Sequence, residues 1–304
     1  MRKTETKSVT VGVSALNEEH NIQKLLRSIC AQHESNFTLK EIIVFSDRST
    51  DSTVKKVRAV HDSRIRLIVR KVRKGKIAGL QELFNTVQSD LLVVFDADVV
   101  LGAQDTIAHL IQPTLINPKV AMVCGRAKPR EGKTFVERCV NTSYETFDAF
   151  RIRVKGGNTA YTAEGKIYCL TRRFFSRIRL PDNIDSDDNF LYFSCTTRGF
   201  VYRYARTAYV WYRSPTTFAD QITQNSRYLS RFTYLTDMFG DIVTKEYSRS
   251  KREKYLAQLW MFIRKPVYSI GILAINLYCK YKALSYAKVL RQKWRQVSTT
   301  KQDI

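Results

Sequence analysis

In the first hundred residues, short β-branched runs alternate with apolar residues at helical spacing, and little else in the chain restricts its fold as much. Val9–Leu16 reads as a strand. Behind the capping-type Asn17 and the acidic pair Glu18-Glu19, residues Ile22, Leu25, Leu26 and Ile29 fall on one helical face. Glu41–Ser46, Ile65–Arg70 and Leu91–Phe95 read as further strands, with helices carrying Val54 and Val57, then Ile77, Leu80, Leu83, Phe84 and Val87, between them. Such alternation predicts an α/β fold with a mainly parallel sheet and helices on both faces. Ligands of such sheets bind at the carboxyl ends of the strands, so the polar residues there carry the functional information.

Four consecutive strand ends are polar. Val13–Glu19 (Val-Ser-Ala-Leu-Asn-Glu-Glu) closes the first strand and Ser46–Thr53 the second; Arg73–Lys76 follows the third, and Asp96-Ala97-Asp98 ends the fourth. Together they offer acceptors for a base and ribose, cations for phosphates and paired carboxylates for a metal. Asp-x-Asp sets two hard oxygen ligands close together, which suits Mg²⁺ or Mn²⁺ on a diphosphate. Taken singly, Asn17 and Asp51 are equally well read as helix caps, Gly75 as a turn residue, and Lys74 and Lys76 as solvated surface. The ordered set at successive strand ends is what favours a site.

In that order and spacing the sequence resembles the family 2 glycosyltransferases, whose chains typically read V-S/P-A-x-N-E, S/D-D-G-S-x-D-x-T, G-K-x-x-A-L-N and D-A-D. Here these are Val13–Glu18, Ser46–Thr53, Gly75–Leu80 and Asp96–Asp98, with Arg48 in place of the usual Gly and Gly79-Leu80-Gln81 in place of Ala-Leu-Asn. Gly165–Arg173 is similar to the segment before the family's catalytic loop, and Asp185–Leu191 to its D/E-D-x-x-L motif. Gln224–Tyr228 is similar to Q-x-x-R-W, with Tyr for Trp. The resemblance covers roughly residues 9 to 230. It implies a GT-A type fold and inverting, metal-dependent transfer from a nucleotide sugar, most simply UDP-linked, by a single in-line displacement. It also implies residue roles. Ala15, Asn17, Asp47, Lys76 and Asp96 would line the nucleotide-sugar pocket. Asp98 with Asp96 would hold the divalent metal, Mg²⁺ or Mn²⁺. Asp188, with Asp187 beside it, would be the catalytic base; Gln224, Arg227 and Tyr228 would brace the acceptor or the diphosphate. Crowding of Asp182, Asp185, Asp187 and Asp188 should raise a carboxyl pKa by like-charge repulsion, although the cluster also reads as a plain acidic loop.

Phe135–Phe150 and Phe218–Met238 read as helices, and Lys166–Leu170 and Phe200–Arg206 as strands. We expect a glycosyltransferase domain over 1–245, with a nucleotide-sugar half near 9–125 and an acceptor half near 126–245, followed by a distinct segment at 246–304. In that segment Arg249, Lys251, Arg252, Lys254, Arg264, Lys265, Lys280, Lys282, Lys288, Arg291, Lys293 and Arg295 surround an apolar and aromatic stripe. Its longest apolar run, Pro266–Cys279, is short of the ~20 residues that span a bilayer but suits an interfacial helix. A core-packing helix with a solvated basic face is the plainer alternative. The chain carries 51 Lys and Arg against 28 Asp and Glu, a formal charge of +23 that favours anionic partners. With no recognised nucleic-acid motif, and an apolar stripe that phosphate contacts would not use, the expected partners are a nucleotide-sugar donor, a lipid or glycan acceptor and an anionic membrane surface, with nucleic acid the alternative. An inactive, scaffold-like relative is the other alternative, disfavoured by the intact carboxylate set. Val9–Leu16 is too short and too polar-flanked for a signal peptide, and six scattered cysteines without a CxxC pair read as reduced thiols. The cytoplasmic face of a membrane is therefore the expected location.

Overall fold

The structure, a computed structural model, describes residues 6–182, 184, 186–248 and 251–286, with side chains 226–231, 233, 280 and 282–286 outside the description. In chain order the elements begin β1 (Lys7–Ala15), α1 (Ile22–Cys30), β2 (Phe37–Asp47), α2 (Thr53–Arg58), β3 (Ile65–Arg70), α3 (Gly75–Thr86) and β4 (Leu91–Asp96). Then come β5 (Val99–Leu101), α4 (Thr106–Ile116), β6 (Val120–Pro129), α5 (Phe135–Arg151), β7 (Ile167–Thr171), α6 (Arg172–Phe175), α7 (Asp187–Thr197) and β8 (Val201–Tyr212). The chain continues through α8 (Phe218–Phe239), α9 (Asp241–Ser248), α10 (Lys251–Arg264) and α11 (Pro266–Tyr286). Its described residues divide into two compact units, one from within 6–128 and 162–212, the other from within 129–161 and 213–286. The boundary expected at residue 245 falls inside the second unit.

The first unit is built on one sheet of order β3-β2-β1-β4-β7-β6-β8-β5. β3, β2, β1 and β4 run parallel, as the alternation predicts, while β7 joins β4 antiparallel. Val9, Val11 and Val13 of β1 and Ile22, Leu25, Leu26 and Ile29 of α1 are all fully buried, so these two predicted apolar faces pack inward. Gly12 lets α3 close on the sheet, because a Cβ there would stand 2.4 Å from Leu83 Cδ1. The sequence reading overlooked β5, α4 and β6. β5 is only three residues long. Val120–Cys124 of β6 is buried at every position, so it shows no alternation, and α4 carries Pro113 inside it. β8 also runs to Tyr212, well past the expected Arg206.

The second unit is helical. α5 starts on a reciprocal cap in which Thr134 Oγ1 accepts from Glu137 N while Glu137 Oε2 accepts from Thr134 N. Its Arg151 is fully buried and donates to Asp148 Oδ1 and the Tyr144 hydroxyl. α10 and α11 pack on α5, with Cys139, Ile272, Ile275 and Cys279 forming a small core. Their remaining faces stay open: Tyr255, Leu256, Leu259, Phe262, Ile263, Val267, Ile270, Leu273 and Leu277 are all exposed. Among the described residues no helix is long and apolar enough to cross a membrane. All six cysteines are free thiols.

Candidate active site

The carboxyl ends of β1, β2 and β4 meet in the first unit, and hydrogen bonds stitch their loops together. Asn17, with left-handed φ of 55°, leaves β1 and accepts at Oδ1 from Thr50 N at 2.8 Å, while its own N donates to Ser49 Oγ. Across the same gap Glu19 N donates to Asp51 Oδ2, and Ser52 N donates to Glu19 Oε2. Arg48 has φ of 64°, in the left-handed region that glycine adopts most easily. Ala15 closes β1 beside Ser46 and is buried. Asp47 ends β2. Its two oxygens accept from the backbone N–H groups of Lys74 and Gly75, both at 2.8 Å. That bond fixes the start of α3, and therefore the residue that follows, Lys76.

Lys76 is the hub of a carboxylate cluster. Its Nζ lies 2.8 Å from Asp96 Oδ1 and 3.3 Å from Asp187 Oδ2. Burial would lower the lysine pKa, but the charges of Asp187, Asp96 and Asp188 outweigh it and hold the ammonium protonated. Asp187 and Asp188 occupy the first turn of α7 rather than a loop. Burial pushes the Asp187 carboxyl up, as do Asp188 and Asp96, against the opposing pull of Lys76. The hydroxyl of fully buried Tyr168 donates to Asp187 Oδ2 at 3.0 Å. Asp188 is more exposed. Its Oδ1 accepts from Ser186 Oγ, from Asn189 N at 2.7 Å and from Asn189 Nδ2 at 3.0 Å. Gly165 faces the cluster: a Cβ there would stand 3.3 Å from Lys76 Nζ and 3.5 Å from Asp188 Oδ2.

Asp96 and Asp98 frame the near side. Lys166 Nζ stands 4.0 Å from Asp96 Oδ2 and 3.8 Å from Asp98 Oδ1. Among the described residues no three or more His, Cys, Asp and Glu side chains gather as a metal site. Two adjacent hard carboxylates nevertheless fit a divalent ion that keeps water and substrate oxygens in its shell, as Mg²⁺ commonly does.

Lys76, Asp96, Asp98, Asp187 and Asp188 are thus brought together, with Asp47 holding the lysine's loop. Gln224 lies on α8 of the second unit, and the side chains of Arg227 and Tyr228 lie outside those described, as does Asp185. Lys166 and Tyr168 were given no role from sequence. Antiparallel pairing of β4 with β7, Phe95 opposite Ile167, is what sets them beside the aspartates.

The model for "glycosyltransferase like family 2" matches residues 6–229. The chain belongs to this family. Among solved structures, this family member is similar to the mannosyltransferase PcManGT from Pyrobaculum calidifontis in complex with GDP-Man and Mn²⁺, at 18% identity and a TM-score of 0.65, over 92% of this chain and 88% of that one. It is also similar to glucosyl-3-phosphoglycerate synthase from Mycobacterium tuberculosis in complex with Mn²⁺, UDP and glucosyl-3-phosphoglycerate, at 18% identity and a TM-score of 0.55, over 77% and 80%. These likenesses establish a GT-A type fold. No curated protein is matched by the sequence. The protein is a glycosyltransferase.

Proposed function

We propose that this glycosyltransferase moves a hexose from a nucleotide sugar, UDP-linked in our reading, to a lipid, lipid-linked glycan or polysaccharide acceptor, with inversion and with a divalent metal. The observation that carries the reading is the Lys76–Asp96–Asp187 cluster at the ends of β4 and α7, with Asp98 and Asp188 at its edges. The solved relatives hold Mn²⁺ with GDP-Man in one case and UDP in the other, which supports a metal-bound nucleotide donor.

Asp96 and Asp98 would hold the metal, which when bound offsets charge growing on the departing diphosphate. Asn17, Asp47 and the Ala15 backbone would contact the nucleotide, and Lys76 would hold Asp96 and Asp187 in place. Asp188 takes the acceptor hydroxyl proton as that oxygen bonds the anomeric carbon. The bond from that carbon to the diphosphate oxygen breaks on the opposite face, and the nucleoside diphosphate leaves with the electron pair. Tyr168 and Lys76 lock Asp187, so Asp188, which keeps Oδ2 toward the Gly165 side, is the freer base. Gln224, Arg227 and Tyr228 would brace acceptor or diphosphate.

A membrane-surface location is supported by α10 and α11, where exposed Leu259, Ile263, Val267 and Ile270 lie among Lys251, Arg252, Lys254 and Arg264. The cations at 288–295 lie outside the described residues. The test is transfer of label from a panel of UDP- and GDP-sugars, with Mn²⁺ or Mg²⁺, to native lipid extracts and to small phosphorylated acceptors. A metal-dependent glycolipid product of inverted anomeric configuration is expected. Retained configuration, or transfer only to the small acceptors, would overturn this reading.

A further inference from the structure

The Asp96 and Asp98 carboxylates already share a cation of the protein's own. Lys166 precedes β7, and the antiparallel register with β4 puts it beside Asp96, whose N donates to the Lys166 carbonyl at 3.2 Å. The side chain then turns back over the pair, its Nζ 4.0 Å from Asp96 Oδ2 and 3.8 Å from Asp98 Oδ1. The Tyr212 ring lies 4.8 Å from the same ammonium, a second low-cost surface for a cation. The Lys166 side chain is largely shielded, 23% exposed. Lys76 is committed elsewhere, to Asp96 Oδ1 and Asp187.

We propose that Lys166 is a resident counter-cation that competes with the divalent metal for Asp96 and Asp98, so that metal binds weakly alone and tightly only with the donor's diphosphate. This inference rests on the metal reading given above. An ammonium and a dication cannot both sit on one carboxylate pair without strong repulsion at such separations. The diphosphate relieves that conflict by adding anionic oxygens that accept the displaced lysine, whose flexible four-carbon stem lets it move. The consequence is ordering: metal and donor are taken up together, and an active site without donor does not retain free metal.

The test is Mn²⁺ binding to the full chain by calorimetry and electron paramagnetic resonance, without and with nucleoside diphosphate, for wild type, Lys166→Met, Lys166→Arg and Asp98→Asn. Without nucleotide, Lys166→Met should bind Mn²⁺ at least about tenfold more tightly than wild type, whereas Lys166→Arg stays near wild type. With diphosphate the advantage of Lys166→Met should shrink severalfold or reverse. Equal Mn²⁺ affinity of wild type and Lys166→Met without nucleotide would overturn the proposal while leaving the metal site standing. Mn²⁺ binding that survives Asp98→Asn, or no binding in any form, would overturn both.

Discussion

Arg64 grips Asp62 at two points, Nε to Oδ1 at 2.9 Å and Nη2 to Oδ2 at 2.7 Å, and holds Glu34 through Nη1. The Arg64 bonds keep the Asp62 carboxyl well below the usual carboxylate range against the opposing effect of burial. A depressed folded-state pKa gives stability that is present above the ordinary aspartate value of about 3.9 and is lost as pH falls below it. Asp62→Asn should therefore cost about 1–2 kcal/mol at pH 7, and the gap from wild type should close on acidification. Urea midpoints from pH 7 to pH 3 check this; a gap that stays constant would show that the charge contributes nothing. At the same scale, Asp96, Asp98, Asp187 and Asp188 stand out in sequence only as parts of an ordered set of motifs, since single carboxylates at strand and helix ends also serve as caps. Lys166 does not, since its importance comes from a register that no local pattern encodes. The ion pairs of Lys76 are hidden from local sequence for a similar reason. A lysine after a glycine suggests a phosphate ligand, yet here it is first a partner of Asp96 and Asp187.

At the level of elements, the parallel strands were legible because their β-branched runs are separated by clear helical stripes. The antiparallel half was not. β6 is buried along Val120–Cys124, and its partners come from distant sequence, β7 on one side and β8 on the other. The approach of β6 and β8 is close at Gly125, where a Cβ would stand 2.6 Å from the Ala208 carbonyl oxygen and 2.8 Å from Ile167 Cδ1. The first neighbour is backbone and cannot swing away. Gly125→Ala should destabilise the chain by about 1–3 kcal/mol through overpacking, read as a lower thermal or urea midpoint. An unchanged midpoint would mean that the two strands are not held so near. α7 also differs from its sequence reading: the acidic stretch that could pass for a loop opens a helix, so Asp187 and Asp188 face the favourable end of its dipole.

Across the whole molecule, the proposed membrane surface draws on both the charge of +23 and the open apolar faces of α10 and α11. Basic residues around an apolar stripe attract anionic lipid, each cation near the surface adding about 1 kcal/mol. The protein should sediment with phosphatidylglycerol vesicles more strongly than with phosphatidylcholine vesicles, and less so as salt rises. Leu259→Asp combined with Ile263→Asp, both on exposed positions of α10, should weaken that binding by about tenfold or more, because each substitution forfeits apolar burial worth ~1.5–3 kcal/mol. Vesicle binding indifferent to lipid charge and to these changes would remove the membrane from the account.

The central claim is that the carboxylate cluster transfers sugar, with Asp188 as the base that accepts the proton. The most direct measurement compares wild type with Asp188→Asn in single-turnover transfer from the active nucleotide sugar, alongside donor affinity by calorimetry. The account predicts transfer slower by about 10²–10⁴-fold, the usual contribution of a general base, with donor affinity changed by less than about threefold. Asp188→Asn that transfers at close to the wild-type rate would contradict it.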